Sequence, residues 1–260
     1  METSGRRFKA VFAGLHQVQR FHDSSNTPVA HGGDDILIGP LRSMDAYHLV
    51  VDPMSALGYT FSSPELVWRL LLFTNYQASL VQIVCEALVR ELGRRLLPPG
   101  GGRILITSED VEAVYAKREV RDLIVQRFRW TINLDNRYRV IALVVALRSL
   151  DSDPGETFTP EELHEDCEVF WPAGFASGVL TSKEFRRYLE EMVGLGVLHR
   201  QGEQYGLRSP NIISLLGTRQ SLHQELAEAP RHFELQYEYN PTMNRRIVGR
   251  QPSCGHRARR

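Results

Sequence analysis

The chain has 260 residues, 42% of them hydrophobic and 24% charged, with 31 basic side chains against 31 acidic ones. This is the composition of a folded globular protein of one to three compact units, at roughly 100–200 residues each, and it excludes a wholly disordered chain, a collagen and a small disulfide scaffold. No apolar run reaches the ~18 residues of a membrane helix, and the zero net charge excludes a global basic footprint for nucleic acid, leaving only a local one.

The chain opens on polar residues with no apolar h-region behind them, so no signal peptide is expected. Residues 7–16 (Arg-Phe-Lys-Ala-Val-Phe-Ala-Gly-Leu-His) read as a buried strand running into a loop, 21–35 as a polar loop, and 36–38 as a second short strand ended by Gly39-Pro40. From Ser43 the periodicity is helical. A first helix should close at Asp52-Pro53. A second is capped by Ser62 or Ser63, with Pro64 at its first position, and runs to 73. Residues 74–78 break it. A third helix spans 79–96, with Leu80, Ile83, Val84, Ala87, Leu88 and Leu92 on one face, and Pro98-Pro99-Gly100-Gly101-Gly102 is a linker.

Beyond the linker, 104–106 reads as a short strand, and Thr107-Ser108-Glu109-Asp110 as a capped start to a helix over 110–120. Helices follow at 122–131 and 135–150. Thr159-Pro160-Glu161-Glu162 starts another, and Thr181-Ser182-Lys183-Glu184 starts one that runs to 195. Residues 196–200 and 204–208 around Gln201-Gly202-Glu203 read as a β-hairpin, closed by a helix over 211–216. The expected fold is mainly α with minor β. Helix, helix, helix, hairpin is the order of a winged helix.

With these elements in place, residues 7–217 resemble the C-terminal part of AAA+/STAND-type P-loop ATPases, near the origin-initiator branch. Residues 8–14 resemble the core strand before sensor 1, 16–21 the sensor-1 loop, and the segments Gly39-Pro40-Leu41, Asp45-Ala46 and 49–59 the entry to a helical lid. Residues 74–82 resemble the break before the last lid helix, with Ala78 where the family often has proline. The resemblance implies a partial ATPase core edge and lid over 1–97, a linker at 98–102, a winged-helix domain with preceding helices over 103–217, and a flexible basic tail over 218–260. It implies a regulatory part that couples nucleotide state to a partner or to DNA. The nucleotide-binding loop itself is missing: no Gly-x-x-x-x-Gly-Lys-Ser/Thr occurs, so nothing here cradles phosphates. ATP and magnesium would be held only with a P-loop half supplied, and the chain alone carries no catalytic residue and no cofactor.

The resemblance also assigns candidate residues. His16 and Gln17 would sense the terminal phosphate. Asn75, Tyr76 and Gln77 would line the adenine side of a cleft under the lid, or simply form a helix–helix turn. Lys183, Arg186 and Arg187 on the 181–195 helix, with Arg200 and Arg208 bracketing the wing, would contact duplex DNA phosphates. Glu184, Glu190 and Glu191 on the same helix weigh against that and favour packing on protein. Two alternatives stay open: a winged-helix transcriptional regulator and a protein-interaction adaptor.

The remaining candidates carry less. Arg103–Asp110 loosely resembles a Walker B strand, but the helix-start reading accounts for it. His164, Glu165, Asp166, Cys167 and Glu168 are consecutive and so scatter around a helix, which makes no metal site. Cys85, Cys167 and Cys254 give neither metal spacing nor a disulfide framework, and an odd count without a signal peptide points to a reducing cytoplasm. Residues 231–260 hold seven arginines and only Glu234 and Glu238 as acids, a basic end that reads as disordered or as a non-specific nucleic-acid attachment.

Overall fold

A computed structural model describes residues 39–95 and 102–238, with the side chains of 230–238 excepted. The strands expected at 8–14 and 36–38, together with His16 and Gln17, lie outside the described residues. So does the 98–102 linker apart from Gly102.

Helix α1 (Ser43–Ala56) runs past the stop expected at Asp52-Pro53. Pro53 removes one backbone donor. The helix continues because Ala46, Val50 and Met54, one turn apart on one face, are at most 2% exposed. Strand β1 (Tyr59–Phe61) follows, where the sequence pattern showed none; three residues are too few for a period of two to register. Helix α2 (Pro64–Phe73) has Ser63 at its N-cap and Pro64 at its first position, as expected. Helix α3 (Ala78–Leu92) buries the i, i+4 stripe Leu80, Val84, Leu88 and Leu92, with Val81 beside it, and stops at Gly93, short of 96.

Strand β2 (Ile104–Ile106) pairs in parallel with β1, Tyr59 opposite Ile104 and Phe61 opposite Ile106. This pair joins the two sides of the linker. Helix α4 (Ser108–Ala116) is shorter than the expected 110–120, because Val120 belongs with Ile124, Phe128 and Ile132 on the buried stripe of helix α5 (Arg118–Ile132), and Lys117 is extended between them. Asp110, read as a faint Walker B acid, sits in the first turn of α4. Its carboxylate accepts from the Thr107 backbone N–H at 2.9 Å and from Arg95 at 3.1 Å.

Helix α6 (Asn136–Asp151) is the centre of the fold. Tyr138 and every residue from Val140 to Leu147 are buried, so it is apolar on all sides. It touches α5, helix α7 (Pro160–Phe170), helix α9 (Ser182–Gly194), strand β4 (Gln204–Leu207), helix α10 (Asn211–Leu216) and helix α11 (Arg219–Glu238). A four-residue helix α8 (Pro172–Phe175) links α7 to α9. Both α7 and α9 start on reciprocal caps. Thr159 takes the Glu162 backbone N–H at 3.3 Å while Glu162 takes that of Thr159 at 2.8 Å, and Thr181 and Glu184 repeat this at 3.3 and 2.9 Å.

Strand β3 (Leu198–Gln201) pairs antiparallel with β4 around a turn in which Gly202 has φ 62°. Phe158 adds a bridge to Tyr205, with both N–H···O distances 2.8 Å. The flexible tail expected over 218–260 is corrected in its first part, which forms helix α11. Residues 219–238 are helical because Leu222, Leu226 and Ala229 are buried against the core and Glu225 accepts from Arg129 and Arg139. Residues 239–260 lie outside the described ones.

Candidate functional site

The turn between α2 and α3 holds Asn75, Tyr76 and Gln77, the nucleotide-sensing candidates among the described residues. Thr74 caps α2 through its hydroxyl, which donates to the Leu70 and Leu71 carbonyls at 3.0 and 3.1 Å. Asn75 and Tyr76 then take φ values of 51° and 56°, and are the only non-glycine residues with positive φ among the described ones. Asn tolerates this region through its short polar side chain; Tyr does so at a cost of roughly 1–2 kcal/mol. Such strain persists only where surrounding contacts over-determine it.

Those contacts come from the hairpin side of the molecule. The Asn75 side-chain amide, 0% exposed, donates to the Gly196 carbonyl at 2.6 Å. Gln77 donates to the Leu195 carbonyl at 3.3 Å. In return, Asn211 on α10 donates to the Phe73 carbonyl at 2.8 Å, while its own side-chain oxygen accepts from the Tyr115 hydroxyl at 3.3 Å. The Tyr115 ring is stacked on Phe73 with centroids 4.0 Å apart. Gly196, φ 74°, lets Pro40 close against it: a Cβ there would lie 2.3 Å from the proline Cγ. Segments 40–41, 73–77 and 195–211 thus form one junction. Its three side-chain bridges are worth about 2–4 kcal/mol together, at ~0.5–1.5 kcal/mol each.

Arg208, a DNA-binding candidate, stands beside this junction. Its backbone N–H donates to Val197 and its side chain is half-buried, with Nε lacking an acceptor. Burial pulls its pKa below the usual arginine value, and the nearby Tyr76 opposes that shift. The Asn75 Oδ1 is likewise buried with no partner. Asn75 and Gln77 therefore spend their amides on the protein's own backbone, and Tyr76 packs against the core.

The other basic candidates are spread along α9 and the hairpin. Arg186 meets Glu161 at 2.8 Å and Glu203 at 3.1 Å; Arg200 meets Glu190 at 2.9 Å and Glu203 at 2.5 Å. Glu190 also accepts from the Tyr205 hydroxyl at 2.5 Å. Burial and that bond push the Tyr205 pKa up to about 12. Arg187 lies within electrostatic reach of Glu184, and Lys183 is exposed at the start of α9. The structure brings Arg186 and Arg200 together around Glu203, but as one arm of a mixed-charge network.

The consecutive ligand-type residues on α7 have separate duties. His164 Nε2 sits 2.8 Å from the Phe175 carbonyl with its ring stacked on Phe185, Asp166 pairs with Arg148, and Cys167 is buried. Among the described residues no group of three or more such side chains is placed to hold a metal ion. Burial raises the thiol pKa of Cys85 to about 12 and lifts that of Cys167 well above its ordinary value.

No protein-family model matches the chain, and neither does any curated protein or solved structure. The functional reading accordingly rests on the sequence pattern and the geometry above. Sequence reasoning missed Asn211, Tyr115 and Pro40 as members of the junction. Asn75, Tyr76 and Gln77 were named from the sequence, and an Asn in a helix-breaking turn is where positive φ is tolerated.

Proposed function

We propose that this chain is the C-terminal regulatory part of an ATP-binding STAND/AAA+ ATPase. On this reading α1–α3 act as the lid over a nucleotide, and α6 to β4, with the Phe158 bridge, act as the winged helix. The junction of residues 73–77 with 195–211 carries the lid's position to the hairpin. The observation behind it is the strained Asn75-Tyr76 turn gripping the Leu195-Gly196 corner, which ties the start of α3 to the residues leading into β3. A state change in the lid can shift the hairpin only by the difference in junction energy between two positions, and bridges worth about 2–4 kcal/mol make that difference large enough to matter.

ATP and magnesium belong to a P-loop half, the partner this reading requires, since the chain has no phosphate cradle and Asp110 is committed to a helix start. The duplex-DNA reading has less behind it, because Arg186 and Arg200 already face Glu161, Glu190 and Glu203. The test is hydrogen exchange on this chain joined to a P-loop segment encoded beside it. Mg·ATP should slow exchange both at 74–77 and at 196–208. Nucleotide binding that leaves 196–208 unchanged, or flanking DNA that encodes no P-loop, refutes the proposal.

A further inference from the structure

A cleft of about 450 Å³ opens between the C-terminal part of α6, the Glu162–Asp166–Phe170 face of α7, the 156–159 segment and α11. Its floor is apolar, from Leu147, Phe158 and Phe170. Its rim carries four carboxylates, on Asp151, Glu156, Glu162 and Asp166. Two guanidinium groups partly compensate them: Arg148 pairs with Asp166 and lies 3.8 Å from Glu162, and Arg219 meets Asp151 at 2.8 Å. An excess of negative charge around an apolar floor fits an extended peptide in which arginines flank a short apolar pair.

The chain contains such a segment. Residues 245–250 read Arg-Arg-Ile-Val-Gly-Arg, and 239–260 hold six arginines with no Asp or Glu. The segment follows α11, whose His223 itself lines the cleft. From His223 to Glu238 is ~22 Å at 1.5 Å per helical residue. From 239 to 247 the chain can stretch ~30 Å, so the segment can return to the cleft of its own molecule.

We propose that residues 245–250 dock in this cleft in cis, with Ile247 and Val248 on the floor and Arg245, Arg246 and Arg250 on the rim. Docked there, the segment covers the flank of the hairpin, because Gln204 lines the same cleft and its side-chain oxygen accepts from Thr157 at 2.8 Å. This inference is independent of the ATPase reading.

The test is fluorescence anisotropy with a labelled peptide of residues 240–253 and full-length chains. The peptide should bind an R245E/R246E/R250E chain at least tenfold more tightly than the wild type, whose own segment competes. Adding E156K, or D151N as a second exposed change, should weaken peptide binding at least fivefold, as should raising the salt to 0.5 M. A peptide carrying I247D/V248D should not bind. Equal binding to both chains, no binding to either, or indifference to both rim changes overturns the proposal. Binding of the I247D/V248D peptide reduces the contact to bulk charge and also overturns it. So does a wild-type dimer in sedimentation that the triple-arginine variant lacks, since the segment would then dock on a second copy. Duplex DNA bound only by the wild type, with equal peptide binding by the two chains, makes nucleic acid the partner of the tail and overturns it as well.

Discussion

The side-chain amide of Asn75 donates to the backbone carbonyl of Gly196 at 2.6 Å, a bond between residues 121 apart in sequence and wholly out of solvent. Replacing Asn75 by Ala leaves that buried carbonyl unpaired, at about 1–3 kcal/mol, and places a Cβ-bearing residue without a local polar group at φ 51°. N75A should lose about 2–3 kcal/mol in urea unfolding, and N75G should recover the backbone part, roughly 1 kcal/mol. A loss below about 0.5 kcal/mol for N75A would show that the bond does not hold the junction.

Gly196 and Gly202 provide a matched pair. Both have positive φ, 74° and 62°, but a Cβ on Gly196 would meet Pro40 at 2.3 Å whereas one on Gly202 meets nothing within 4 Å. G202A should cost only the backbone preference, about 1 kcal/mol. G196A should cost about 1–3 kcal/mol more from overpacking. Similar melting temperatures for the two would mean that Pro40 does not close on the hairpin corner.

Helix α11 should behave as part of the core. Leu226 is 0% exposed, so L226A should destabilise by about 2–5 kcal/mol. Glu225, whose side chain is 14% exposed, bridges Arg129 at 3.2 Å and Arg139 at 2.7 Å, and E225A should cost about 1–3 kcal/mol, because water still reaches both half-buried guanidinium groups. An L226A protein with unchanged urea midpoint would return 219–238 to the status of a dispensable tail.

Acid should loosen three helix starts together. Burial raises the Asp110 pKa, but the Arg95 and Thr107 bonds outweigh it and hold the carboxyl below its ordinary value. The Thr159 hydroxyl and N–H do the same for Glu162, and the Thr181 N–H and hydroxyl for Glu184. Folded values below unfolded ones mean that the stabilisation is complete above the unfolded range, about pH 4–4.5, and is lost as pH falls through the folded values. Melting temperature should therefore drop between about pH 5 and 3, and the drop should be shallower in D110N, which starts less stable at pH 7. An acid limb identical in wild type and D110N would remove Asp110 from the account.

Much of the helical architecture was legible because caps and periodicity are local. Ser63-Pro64, Thr159-Pro160 and Thr181 each mark a helix start found within a residue, and the 204–208 pattern anticipates β4. Failures came where distant partners decide. The three residues of β1 are a strand only because Ile104–Ile106 lies beside them, and α1 passes Pro53 because its far face is buried. Residues 219–238 were placed in a flexible basic tail, because nothing local shows that Arg129 and Arg139 supply partners for Glu225. Asn75 was named as part of a helix-breaking turn, while its partner Gly196 lies 121 residues away, which no local pattern announces.

The measurement that bears most directly on the central claim is hydrogen exchange of the full chain, wild type against N75A, comparing the hairpin amides of 198–207 with those of α6 at 141–146. If the junction transmits from the 74–77 turn to the hairpin, the hairpin amides should speed up about tenfold, the equivalent of ~1.4 kcal/mol, beyond any change in α6. Equal acceleration in both, or acceleration confined to 74–77, would contradict transmission through the Asn75–Gly196 contact.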